Sequence, residues 1–245
     1  MKTALITGAT SGVAHALARE LLGQGWKLSL ACRDGSRLDP ALGQVQRADV
    51  STEVGADDAV AAATEWFGGL PAAVINCAGS TLIAPISRTS EAQYRAVLSA
   101  NLDTAFFVGK AYATALSSAR QGGALVFFSS VVAGIGVSNH AAIAAAKGGV
   151  EALTRSLAAD FSGIGLRVNC IAPGLTRSPM TERMLGNEAA ARQIAAQYPL
   201  GRHGEAEDAA ALAAFLVSGG AGWITGQVIG LDGGFSAVRP YLKAS

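Results

Sequence analysis

The sequence predicts an α/β protein: a doubly wound, mostly parallel seven-stranded sheet in a three-layer α/β/α domain spanning residues 1–245. Three observations carry that expectation. Short apolar runs of strand length alternate with longer Ala-rich amphipathic stretches, the rhythm of βαβ units. No internal repeat, low-complexity tract or Pro/Ser-rich linker interrupts it. Half the residues are hydrophobic and only 15% are charged, enough apolar surface for a large core and too little charge for an extended solvated chain.

Taken in order, Ala4–Ile6 reads as a first strand that runs into a turn containing Gly8 and Gly12, followed by a helix over 13–23. Lys27–Ala31 is the second strand. Only sixteen residues separate Cys32 from Asp49, and Pro40 falls among them, so the helix after this strand is short or missing. Val45–Arg47, Ala73–Ile75, Ala124–Phe128, Leu166–Ile171 and Val228–Gly230 complete the strands. Helices are expected over 53–67, 91–118, 140–162 and 205–218, long enough for the crossovers that parallel strands require.

Charge and cysteine content exclude several function classes. The net charge of +1, with no basic run, lacks the electrostatic footprint of a nucleic-acid or anionic-membrane binder. Cys32, Cys77 and Cys170 are odd in number and scattered, with no CxxC or Cys/His cluster, so they read as small buried hydrophobes and no metal site is expected. The opening MKTALITGAT enters a strand directly, without the pattern of a signal peptide, and no run reaches membrane-spanning length. A reducing cytoplasm and a small-molecule substrate are the expectation.

The first strand ends in Thr7-Gly8-Ala9-Thr10-Ser11-Gly12-Val13-Ala14. Two glycines there allow a tight turn and a close approach of backbone to a pyrophosphate at a helix N-terminus, as in Rossmann-type nicotinamide dinucleotide sites. Gly8, Thr10, Ser11, Gly12 and Val13 are the candidate contacts. An ordinary glycine-bearing strand-to-helix turn is the bland alternative.

The turn is similar to the TGxxxGxG motif of the short-chain dehydrogenase/reductase family, with Ala14 in place of the third glycine, and the resemblance, 3-oxoacyl reductase-like in its motifs, covers essentially the whole chain. It implies that Asp49, followed by Val50, accepts the adenine amino group. Asn76-Cys77-Ala78-Gly79 resembles the family's NNAG, in which Asn76 would brace the central strand while Ala78 and Gly79 let backbone approach the cofactor. Arg167 through Gly174 resembles RVNxIxPG, implying that Pro173 and Gly174 seat the nicotinamide, with its carboxamide near Thr176. Residues 178–197 would form a substrate lid. The closing segments, Pro199 to Arg202 and Ile224 to Gly234, resemble those that pack against a neighbouring subunit, which implies a homotetramer or homodimer.

Cofactor choice rests on the end of the second strand. A carboxylate there would bond the ribose 2′-hydroxyl of NAD and repel the extra phosphate of NADP. Cys32 stands where NAD-preferring relatives carry Asp, and Arg33 where NADP-preferring relatives carry a basic residue, so NADP is expected, with NAD possible given Asp34 and a serine at position 11.

The family's chemistry uses Ser, Tyr and Lys, with an Asn that anchors a relay water. Ser130, Lys147 and Asn101 match three of these. Position 143, four residues before Lys147 on one helix face, should be the Tyr and is Ile. An isoleucine has no proton to exchange, so the usual acid/base is lost. Two consequences compete. One is a working NADP(H)-dependent oxidoreductase, acting on a carbonyl/alcohol pair or an activated alkene as dienoyl-CoA reductases of this family do, whose proton comes from His140, Ser130, a lid residue such as Tyr198, or water. The other is a catalytically silent NADP(H)-binding partner or regulator. Halohydrin dehalogenases, which lost the dinucleotide, fit poorly with the intact glycine turn and Lys147.

Overall fold

The computed structural model describes residues 1–36, 38–179 and 181–239. Among these, the strands are β1 (Thr3–Thr7), β2 (Lys27–Cys32), β3 (Gln44–Arg47), β4 (Ala73–Asn76), β5 (Gly123–Phe128), β6 (Leu166–Pro173) and β7 (Val228–Leu231). They form one sheet in the order β3-β2-β1-β4-β5-β6-β7. Every pairing is parallel, where the sequence led us to expect a mostly parallel sheet. The order reverses between β1 and β4, which opens a crevice at the carboxyl ends of those strands.

Between the strands run α1 (Gly12–Gly23), α2 (Glu53–Phe67), α3 (Glu91–Leu98), α4 (Thr104–Ala119), α5 (Val131–Gly134), α6 (Ala141–Phe161), α7 (Glu182–Leu185), α8 (Glu188–Ala195) and α9 (Ala206–Val217). Strand side chains alternate between the two faces of the sheet. Ile6, Ile75, Val126 and Ile171 therefore pack on one side with Leu17 and Leu21 of α1 and Ala213 and Leu216 of α9. Leu5, Val74, Leu125 and Phe127 pack on the other with α2, α4 and α6, through Val60, Val108 and Leu157. On α2 the buried stripe is Ala56, Ala59 and Ala63, small enough to bring the helix close to the sheet.

One departure from the expected elements and one agreement with them bear on the site. The stretch 91–118 is not one regular helix, because a π turn over Ser99–Asp103 separates α3 from α4. Between β2 and β3 there is only a 3₁₀ turn, Pro40–Leu42, and the buried side chains of Leu38 and Leu42 do the covering that a helix would. The expected lid contains α7 and α8. Met180 within it, and residues 240–245 of the expected domain, lie outside the described residues. No helix among the described residues is long and apolar enough to cross a membrane.

Candidate active site

The crevice at the reversal point is a cleft of about 690 Å³ lined by Gly8, Thr10, Ser11, Gly12, Val13, Arg33, Asp49, Val50, Ala78, Gly79 and Pro173, all of them anticipated from sequence. Its floor is set by a backbone contact. Gly8 has φ +64°, and a Cβ there would run into the backbone of Cys77 and Ala78, so only glycine lets the β1–α1 turn lie against the segment after β4. Asn76 does not line the cleft; it braces from behind. Its Oδ1 accepts from Thr7 Oγ1 at 2.6 Å and Ala78 N at 3.2 Å, and its Nδ2 donates to Thr104 Oγ1 at 3.4 Å.

Ser11 caps α1, its Oγ accepting from Ala14 N at 3.2 Å. The first turn carries no acidic residue, and the N–H groups of Gly12 and Val13 have no acceptor among the described residues. A cleft of this size, ending on free N–H groups at the positive pole of a helix, fits the pyrophosphate of a dinucleotide. Asp49 is held below the ordinary carboxylate range first by Ser51, whose Oγ and N donate to its Oδ1 at 2.7 and 3.1 Å, and in smaller part by Arg33. Arg33 and Asp49 thus lie near each other in the lining of the cleft. Cys32 is buried, and burial pushes its thiol up.

The expected residues Asn101, Lys147 and Ser130, carried by the π turn, α6 and the end of β5, do not line the cleft, which borders them at Gly79 and Phe128. Asn101, buried in the π turn, donates from Nδ2 to Val97 O at 2.9 Å and Ser80 Oγ at 3.2 Å, and accepts from Ser80 N at 3.3 Å on Oδ1. Lys147 Nζ donates to Phe128 O at 2.7 Å. The two amino acids converge on Gly79: a Cβ built there would lie 3.0 Å from Asn101 Oδ1 and 3.5 Å from Lys147 Nζ. Burial lowers Lys147 to about 8. Ser130 follows β5 as the N-cap of α5, its Oγ 3.4 Å from Val132 N.

Ile143 precedes Lys147 by one turn and is buried with Val97 and Ala146 against Leu82, Leu98 and Val132. An aliphatic plug occupies this face of α6. Of the other expected residues, His140 lines a separate groove of about 510 Å³ with Pro85, Ile86 and Val137, its Nδ1 2.7 Å from Ser138 O. Gly174 packs against the ring of Tyr198. Thr176 pairs with Gly204 and donates to Gly174 O at 3.2 Å, beside the cleft wall rather than in it. Tyr198, one of the proton donors expected from sequence, is a buried strut: its hydroxyl accepts from Leu175 N at 2.7 Å and its ring lies against Phe235 at 5.0 Å. Cys77 is not the fully buried hydrophobe expected; it lines the cleft, although its surroundings push its thiol up to about 12.

Sequence reasoning missed one network. Ser129 Oγ lies 2.8 Å from Glu151 Oε1 and 3.3 Å from Lys147 O, stapling the end of β5 to α6 between Phe128 and Ser130. The only signal was the spacing, since Lys147 and Glu151 stand four residues apart on one helix face.

The family model described as enoyl-(acyl carrier protein) reductase matches residues 8–236. An inactive 2-(S)-hydroxypropyl-CoM dehydrogenase of Xanthobacter autotrophicus is 35% identical, over 91% of this chain and 100% of its own. A probable 2,4-dienoyl-CoA reductase of Bacillus subtilis is 34% identical over 98% of both chains. The structure of a short-chain type dehydrogenase/reductase from Mycobacterium ulcerans superposes with a TM-score of 0.91 at 30% identity, covering 97% of this chain and 90% of that one. With a family model matched over residues 8–236 and relatives 34–35% identical across nearly the whole chain, the chain belongs to the short-chain dehydrogenase/reductase family.

Proposed function

We propose that the protein is an NADP(H)-dependent oxidoreductase that reduces an activated alkene or a carbonyl, with a proton donor other than tyrosine. The observation that carries this reading is a dinucleotide-sized cleft whose lining residue Gly79 has Asn101 Oδ1 and Lys147 Nζ directly behind it, while Ile143 stands where a phenol was expected. When bound, the dinucleotide supplies the hydride. Ser130 donates a hydrogen bond to the substrate oxygen, and Lys147 and Asn101 hold the ribose side of the cleft.

An activated alkene suits this site best. Addition at its β-carbon moves charge onto a carbonyl oxygen, where a hydrogen-bond donor stabilises it without full proton transfer in the same step. The enoyl description of the family model and the name of the Bacillus relative support that choice. Arg33, beside a cleft end where Cys32 replaces a repelling carboxylate, supports NADP over NAD. Three free thiols support a reducing cytoplasm, and the fully exposed Trp223, with Leu200 at 73%, supports assembly into a homodimer or homotetramer.

Single-turnover NADPH oxidation against ketones, enones and quinones tests the reading. Consumption of NADPH with an enone, lost in Ser130→Ala, is the expected result. A native protein inert to every probe beside an Ile143→Tyr variant that turns over would instead mark a silent dinucleotide-binding member of the family.

A further inference from the structure

Ile143 leaves the proposed reaction without a phenol, and the ionisable side chains considered as replacements are not equally placed. His140 sits in a second groove with its Nδ1 against Ser138 O, and Tyr198 is locked beneath Leu175. Lys147 is different. Both residues that fix its Nζ, Phe128 through its carbonyl and Gly79 through its bare Cα, line the dinucleotide cleft.

We infer that Lys147 is itself the proton donor of the reaction proposed above, so that the ammonium elsewhere assigned to holding ribose also protonates the reduced substrate. The inference rests on that reading of the site. An ammonium has three N–H bonds, and Phe128 O takes one. The remaining two have no acceptor among the described residues, and the face of α6 that would carry a phenol between them and the substrate carries only the Ile143 side chain. The step balances without a further reactant. The bound dinucleotide supplies two electrons and one hydrogen as hydride, one N–H bond of Lys147 breaks as an O–H or C–H bond forms on the substrate, and the neutral amine regains its proton from water.

The electrostatics match the role. Burial brings Lys147 to about 8, so it is charged near neutral pH and yields a proton more readily than an exposed lysine. The groups facing it are few. Cys77 after β4 and Cys170 on β6 would raise it if ionised, but burial holds both thiols near 12. Glu151, one turn further along α6, is engaged with Ser129 Oγ and acts on Cys170.

The test uses the full chain with NADPH and three probes, cyclohex-2-enone, menadione and ethyl acetoacetate. Two measurements are read together: the pH dependence of kcat/KM, and a titration of ¹³Cε-lysine by NMR in the free and NADPH-loaded protein, with Lys147→Arg identifying the resonance. The expected result is an NMR midpoint near 8 in the free protein, and a rate that falls tenfold per pH unit above the midpoint of the loaded form. Lys147→Arg, which keeps the charge, should lose at least about 100-fold in kcat at neutral pH and saturating NADPH, with the Kd for NADPH measured by fluorescence so that a loss of binding is told apart from a loss of proton donation. A rate flat between about pH 6 and 9.5, or an NMR midpoint at the ordinary value of an exposed lysine, overturns the inference and leaves the oxidoreductase reading standing. If no probe oxidises NADPH in the native protein while Ile143→Tyr turns over, the oxidoreductase reading fails and the donor role falls with it.

Discussion

Two regions at the carboxyl ends of the strands are made of different material. The proposed nucleotide end is mostly backbone: the turn at Gly8, the N–H groups of Gly12 and Val13 at the start of α1, and the close approach at Ala78. The proposed reactive end, which meets the cleft at Gly79 and Phe128, is made of side chains: the Asn101 amide, the Lys147 ammonium, the Ser130 hydroxyl and, at position 143, an isoleucine. A seat built from backbone survives most side-chain replacements. Chemistry built from side chains changes with one codon, and here an isoleucine stands at position 143 where a phenol was expected.

The contrast can be broken most severely at the nucleotide end. Gly8→Ala places a methyl group against the backbone of residues 77 and 78 at a positive φ, and should destabilise the fold by more than about 3 kcal/mol in urea melts. Next in size is a pH effect at the reactive end. Lys147 is depressed from 10.5 to about 8 by burial, so between those values the unfolded chain binds the extra proton and stability from this group rises with pH. Native stability relative to Lys147→Met should therefore climb by up to about 3 kcal/mol from pH 8 to 10.5, and be constant below that window. Taking the difference cancels most of the opposite slope that the buried Cys77 and Cys170 thiols introduce as the unfolded chain ionises.

Ile143→Tyr sharpens the comparison by restoring a phenol at a cost in packing. The larger ring should lower stability by about 1–3 kcal/mol in the Val97 and Leu82 cluster, while raising carbonyl reduction about 100-fold in stopped flow. Arg33→Ala tests the side-chain part of the nucleotide end, with an expected tenfold rise in the Kd for NADPH and little change for NADH by fluorescence titration. Smallest is Ser129→Ala, which removes the staple to Glu151 and should cost about 1 kcal/mol in thermal unfolding.

What could be read from the residues follows the same division. The strands were legible to within two residues because buried parallel strands are continuous apolar runs, and the glycine turn because its backbone demands glycine. Asn101, Lys147 and Ser130 were placed by register. The roles of Tyr198 and Ser129 were not legible, since a strut beneath Leu175 and a bond to Glu151 depend on tertiary distance. Nor could a helical period tell that His140, one turn before Ile143, opens into a different groove, because the non-helical backbone at that cap sets its direction. The interruption at Ser99–Asp103 escaped for a similar reason: the segment keeps helical composition, and only its hydrogen-bond spacing differs.

That interruption is a phase shifter. Each residue advances an α-helix by about 100°, so a wider turn resets the angle at which the following helix presents its apolar stripe. Before it, Val97 points to the cluster around Ile143; after it, Val108 and Tyr112 point to the sheet. A uniform helix of the same composition would serve only one of these directions. Asn101 rides on the seam, its amide donating to Val97 O four residues back. Loss of Leu102 or Asp103, neither of which lines the cleft, would wind the two halves back into register and turn Asn101 away from Gly79.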